Sequence, residues 1–228
     1  MKKTVLTLIA LLVMAAQFAS AQNYEVEYEV KFNSSDLERM ITGGQQLPPE
    51  VMTSLRQDIQ AAQIVVSANM SKDKENVELL LDKSSFTVNI MGNIMDMKPM
   101  LEMMGLASYT DYEKKENYTK ISVQGVKYLI KNEFEPQAEY EATKKTKKIL
   151  GHECVRMNTK GGKIWYATDL PFETSAYKGV PGVVLAAEIN GTYLNAVSVT
   201  PNNKEISLPE DAKIVTGEEM QEIMRQLK

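Results

Sequence analysis

The chain has one cysteine, one histidine and one tryptophan among 228 residues, and each scarcity removes a class of explanation. With Cys154 alone there is no intramolecular disulfide, so the fold must stand on its core. His152 is the sole general base of the usual kind, and no serine sits in a Gly-x-Ser-x-Gly elbow, which argues against nucleophilic catalysis. Acidic residues are many, but no pair stands out as a two-carboxylate site. The chain therefore reads as a non-enzyme that needs no cofactor. Lys and Arg number 26 against 30 Asp and Glu, and the basic residues form no long stripe. Nucleic acid is accordingly excluded as a partner.

Long apolar runs are also missing. Spanning a bilayer takes about 18 or more consecutive apolar residues. The one conspicuous run, Val5 to Ala16, is shorter, follows Lys2 and Lys3, and precedes a small-x-small site at Ala19-Ser20-Ala21. That is a secretory signal over residues 1–21, cleaved before Gln22, which predicts a periplasmic or secreted protein. No cysteine follows the site, so the mature chain has neither lipid anchor nor transmembrane segment. Residues 22–228 form one predicted domain in which 24 basic and 30 acidic groups leave a formal charge of −6.

What the chain does have is strand signal. Tyr24, Val26, Tyr28, Val30 and Phe32 alternate with Glu25, Glu27, Glu29 and Lys31, the period of a half-buried strand. Helical spacing follows, with a capping box at Ser35 and Glu38 and a second helix after Pro48-Pro49 carrying Val51, Met52, Leu55 and Ile59. Further strands are expected at Ile64–Met70, Val77–Leu81, Phe86–Ile90, Tyr118–Val123, Val126–Ile130, Glu139–Thr143, Glu153–Thr159, Lys163–Ala167, Val183–Ile189 and Tyr193–Val199. Short turns such as Gln124-Gly125 and Asn190-Gly191 join them, so the sheet should be largely an antiparallel meander. Pro181-Gly182 suits a type II turn with positive φ at the glycine. Thr216 and Glu219 box the start of a terminal helix bearing Met220, Ile223, Met224 and Leu227 on one stripe. The expected fold is mainly β within the α+β class: a strongly curved antiparallel sheet of about nine to eleven strands, with short helices early and at the C-terminus. Such a half-barrel is similar to that of periplasmic lipoprotein carriers.

One compositional excess stands out. Six methionines, Met91, Met95, Met97, Met100, Met103 and Met104, fall within fourteen residues. Thioethers adapt to irregular apolar partners, so this stretch reads as a flexible flap over an apolar ligand, with Trp165 as a further cavity-lining candidate. The alternative is soft-metal chemistry, in which Met95, Met97 and Met100, with His152 and Cys154, would hold Cu(I). His152 and Cys154 lie two apart on one strand and so share a face, but no other histidine or cysteine exists to complete a zinc site. A buried, inert thiol is the simpler reading of Cys154.

The stretch from Lys144 to Gly191 contains Thr146-Lys-Lys-Ile-Leu-Gly151-His-Glu-Cys154, Gly161-Gly-Lys-Ile-Trp165-Tyr166, Asp169-Leu-Pro171 and Gly179-Val-Pro181-Gly182-Val-Val184. It resembles the GLPGLI family of exported Bacteroidetes proteins, or a closely related sister family. The family motif maps onto Gly151, Cys154, Trp165, Tyr166, Gly179, Pro181 and Gly182. Here the name motif reads Gly-Val-Pro-Gly-Val-Val, and Ala167 follows Trp165-Tyr166 where the family places threonine. The resemblance implies a cell-envelope protein and designates no catalytic residue. Three roles stay open: a carrier or chaperone for an apolar ligand, a Cu(I) protein, or an envelope protein that docks a protein partner and holds no small ligand.

Overall fold

The computed structural model describes residues 23–134, 139–172 and 174–226, so the segment expected to be a signal and Leu227 lie outside the described residues. The alternation of the first strand builds the centre of the molecule. Strand β1 (Asn23–Lys31) buries Tyr24, Val26, Tyr28 and Val30 and turns its glutamates the other way. It pairs antiparallel on both sides, with β2 (Ile64–Met70) and β13 (Thr192–Asn202). Two runs of strands spread from it. One is β2, β3 (Lys74–Leu79), β6 (Ala107–Asp111), β7 (Glu116–Val123) and β8 (Val126–Asn132), edged by β14 (Lys213–Val215), which pairs parallel with β8. The other is β13, β12 (Val184–Ile189), β11 (Gly162–Ala167), β10 (His152–Thr159) and β9 (Tyr140–Ile149). Together they make one curved twelve-stranded sheet that does not close into a barrel.

Connectivity alone requires the curvature. Strand β9 is one edge of the sheet and β8 is the last strand but one at the other, yet the two are consecutive in the chain. Laid flat, they would stand roughly 48 Å apart at about 4.8 Å per strand. The step from Asn132 to Tyr140 reaches at most about 29 Å, so the sheet has to roll. Phe134, just past β8, accordingly meets the other half of the sheet: its ring lies 3.5 Å beneath the Lys178 ammonium and edge-on to Tyr112.

The face carrying Val26, Tyr28, Val66 and Met70 is covered by helices and by a small hairpin. Helix α1 (Ser34–Thr42) contributes Leu37, and α2 (Pro49–Ala61) contributes Leu55 and Ile59. Phe86 and Val88 come from the hairpin of β4 (Thr87–Ile90) with β5 (Asn93–Asp96), and Leu101 from α3 (Lys98–Met103). All six side chains are buried. Across the opposite face runs the segment 203–212, which seats Ile206 against Tyr109, Tyr118 and Leu129 before β14 and the terminal helix α4 (Gly217–Gln226).

Several sequence expectations need correction. The cap of α1 is Asn33, whose side chain accepts from the Ser35 amide at 3.0 Å; Glu38 instead takes a two-pronged ion pair from Arg56 of α2. Phe86–Ile90 does not join the main sheet, because its partner is the adjacent β5. Strands β6 and β14 were not expected, and they bring the main sheet to twelve. Gly182 does not adopt positive φ; Gly179 does, at +87°. Glycine is required at 182 because a Cβ there would lie 2.2 Å from the Ala167 carbonyl oxygen, so close strand approach takes the place of the type II turn. The capping box of α4 is present as expected: Thr216 N donates to Glu219 at 2.7 Å, and Glu219 N donates to Thr216 Oγ1 at 3.1 Å.

Candidate ligand-binding face

The site begins where the sheet is incomplete. Strand β6 has five residues and bridges β3 only over Lys74–Val77 and β7 only over Glu116–Lys120. Past those points Glu78 and Leu79 of β3 face Ile121–Val123 of β7 with no strand between them, and a slot opens. The chain reaches β6 late because it descends from α3 through Gly105, at φ +68°, where a Cβ would press the Thr119 side chain at 2.8 Å. Leu79, Leu81, Leu101, Ile121 and Leu129 line the slot, which holds about 300 Å³.

One cation forms part of the wall. The Lys120 side chain is mostly buried, donates to Asn76 Oδ1 and to the Val77 carbonyl, and stands 3.9 Å from Glu78. Burial draws its pKa below the ordinary lysine value, against the opposing pull of Glu78. Glu102, on the rim, also lines the neighbouring hollow.

That hollow, about 550 Å³, lies between α3 and α4 over the β7–β8 turn, with Pro99, Met103, Val123 and Met224 on its walls. Met224 continues into a third depression of about 400 Å³ beside Ile130 and Met220. Helix α4 is thus pinned by buried Met220 and offers half-exposed Met224 to the hollow. Slot, hollow and depression adjoin one another through shared lining residues, Glu102 and Ser122 between the first two and Met224 between the last two, and their surface is mostly apolar.

The six clustered methionines divide into two sets. Met97, Met100 and Met104 are partly buried and pack on the main core. Met91, Met95 and Met103 are exposed, Met91 at 79 %. Met91 and Gly92 form the two-residue turn of the β4–β5 hairpin with φ +54° and +88°, a geometry that favours Asn-Gly. The segment is therefore part core and part surface. Trp165 packs, partly buried, on the same main core as Met97, Met100 and Met104, lines none of the slot, hollow or depression, and its ring carries the Lys147 ammonium at 4.4 Å.

His152 and Cys154 lie together on β10 as the spacing predicts. His152 Nδ1 is 2.9 Å from Asp169 Oδ2, whereas Cys154 is fully buried with its thiol 3.6 Å from the His152 carbonyl. Burial pushes that thiol up to about 11, which keeps it protonated. Met95, Met97 and Met100 belong to the hairpin–α3 segment and not to β10, and among the described residues no three His, Cys, Asp or Glu side chains group as metal ligands. Two glycines of the glycine-rich stretch have structural roles here. Gly151 completes the Leu150-Gly151 turn, and Gly182 permits close packing against Tyr166 and Ala167. Sequence reasoning missed Lys120, Leu79, Leu81, Ile121 and Leu129, because the slot arises from strand register. The stripe of α4 did signal Met220 and Met224.

No family model matches the chain, and no curated protein matches it in sequence. Among solved structures it is similar to PNGF-II in a P21 crystal form, at 16 % identity and a TM-score of 0.55 over 90 % of this chain and 34 % of that one. PNGF-II in a C2 form gives 15 % identity and a TM-score of 0.53 over 90 % and 33 %. The likeness is one of fold. The chain spans about a third of the length of these proteins. Among the described residues no helix is long and apolar enough to cross a membrane.

Proposed function

We propose that this chain is an exported, non-enzymatic binding protein of the cell envelope, related to the GLPGLI family, which carries or chaperones an apolar ligand on the face from the β3–β7 slot to α4. The observation that carries the reading is the continuity of that run. Leu101 closes the slot, Glu102 and Ser122 are shared with the hollow, and Met224 is shared onward. Ligand sites of this kind are mostly apolar with a few placed polar groups, and Lys120 is such a group. Beneath the helices the main core is packed by the chain's own side chains, and the hollow of about 410 Å³ at the end of β1, beside Leu37 and Ile59, is as polar as it is apolar, so the more apolar rim suits the ligand better. The non-enzymatic reading rests on the sequence, in which no serine sits in a nucleophile elbow, and on Cys154, whose buried, protonated thiol supplies no thiolate nucleophile.

The test is native mass spectrometry of the mature protein from its host envelope, before and after organic extraction, with Cu(I) added in a second arm. A co-purified apolar mass lost on extraction is the expected result. A stoichiometric copper adduct that disappears when Met95, Met97 and Met100 become leucine would transfer the assignment to a soft-metal protein. A clean apo mass in both arms would leave protein docking as the role.

A further inference from the structure

Among the described residues, eleven large hydrophobic side chains are exposed, and five of them are methionine: Met40, Met91, Met95, Met103 and Met224. An exposed apolar surface built from thioethers differs from one built of leucine in a single chemical respect, that sulfur can be oxidised. Met91 sharpens the point. It sits at φ +54°, where asparagine or glycine would be less strained, and at 79 % exposure it adds nothing to the core. Met103 of α3 and Met224 of α4 both line the hollow. Met70, at 0 % exposure in the main core, and Met220, at 4 %, are buried and provide an internal contrast.

We propose that Met91, Met95, Met103 and Met224 are modification sites for two-electron oxidants such as hydrogen peroxide, and that sulfoxide at Met103 and Met224 closes the face to apolar ligands. In the step, the thioether sulfur attacks one peroxide oxygen, the O–O bond breaks, the sulfur loses two electrons and gains that oxygen, and water leaves. The product is polar where the side chain was apolar. A sulfoxide on each side of the hollow places two strong acceptors where the ligand needs none, and burying them unpaired opposes binding. The modification rests on exposure alone, while its consequence rests on the proposed ligand-binding reading.

The experiment treats the purified mature protein with graded hydrogen peroxide and follows each methionine by peptide mass mapping, the fold by circular dichroism, and affinity for the uncharged fluorophore N-phenyl-1-naphthylamine. Met91, Met95, Met103 and Met224 should oxidise about ten-fold faster than Met70 and Met220 with the spectrum unchanged, and affinity should fall about five-fold or more. In M103L/M224L, whatever its starting affinity, peroxide should change that affinity by less than about two-fold. Equal oxidation rates for exposed and buried methionines in the folded protein would overturn the modification. Unchanged affinity after full oxidation of Met103 and Met224, or undiminished peroxide sensitivity in M103L/M224L, would overturn the closing of the face. Should the unoxidised protein fail to bind the probe, the ligand reading and the closing of the face fall together, whereas the order of oxidation still decides the modification by itself.

Discussion

Apart from the two-helix connection between β1 and β2, each half of the sheet contains one long insertion between strands that pair with each other, and these two insertions are treated in opposite ways. Residues 168–183, between β11 and β12, hold the glycine-proline motif and are drawn inward: Leu170, Val180 and Val183 are essentially inaccessible. Residues 80–106, between β3 and β6, hold the methionines and keep only an anchor inside. Phe86, Val88 and Leu101 are buried while Met91, Ile94, Met95 and Met103 face out. The part of the chain with a recognisable motif is thus a packing device, and the part with an unusual composition is surface. Buried insertions are constrained by close packing; exposed ones are free to be shaped by what they contact.

The anchor of the exposed insertion is where a substitution should cost most. Leu101→Ala should cost about 3 kcal/mol, because a fully buried leucine is lost from the junction of slot and core. Urea titration would show it, and a loss below about 1 kcal/mol would mean that the insertion is not anchored there. In the buried insertion the corresponding test adds atoms. Gly182→Ala places a Cβ 2.2 Å from the Ala167 oxygen and 3.0 Å from the Tyr166 ring, with an expected cost of about 2 kcal/mol. A positive-φ explanation would give about 1 kcal/mol at most and no displacement of β11, so nuclear magnetic resonance shifts at Ala167 distinguish the two.

Much of this was legible in the sequence, for stated physical reasons. The alternation of β1, the Gln124-Gly125 and Asn190-Gly191 turns and the Thr216–Glu219 box are local signals, and each forms where the spacing puts it. Strand β6, Ala-Ser-Tyr-Thr-Asp, is short and polar, and β14 has three residues, so neither declares itself locally. Both exist because a neighbouring strand presents an edge. Ser35 and Asn33 are equally good caps on paper; Arg56, eighteen residues away from Glu38, withdraws the glutamate and leaves Asn33 to do the capping. The slot was invisible because it depends on which residues β6 fails to reach.

Acid–base behaviour sharpens the contrast from the buried side. Cys154 is pushed up to about 11 in the folded chain from about 9 when exposed. A raised thiol pKa favours the folded state below pH 9 and loses that contribution as pH rises toward 11, a change of about 2 kcal/mol. Buried Tyr28 and Tyr177 are raised too, so the diagnostic quantity is a difference. The alkaline fall in stability should be shallower in Cys154→Ala than in the native chain across this window. Parallel curves would show that the thiol is not held in the packed environment that defines this half.

The smallest effect is expected at the tip of the exposed insertion, and it is the most specific. Gln124, Leu150 and Asn190 occupy the same left-handed position as Met91 in two-residue turns ending in glycine, and only Asn190 is the residue that the geometry favours. Nothing in the core depends on Met91, so Met91→Asn should raise stability by about 0.5 kcal/mol. A decrease would mean that the methionine side chain has a partner within the folded chain. An increase, measured by thermal unfolding, would mean that a locally unfavourable, oxidisable and exposed residue is maintained at the tip against the preference of its own backbone, which fits a role in contact with something outside the chain.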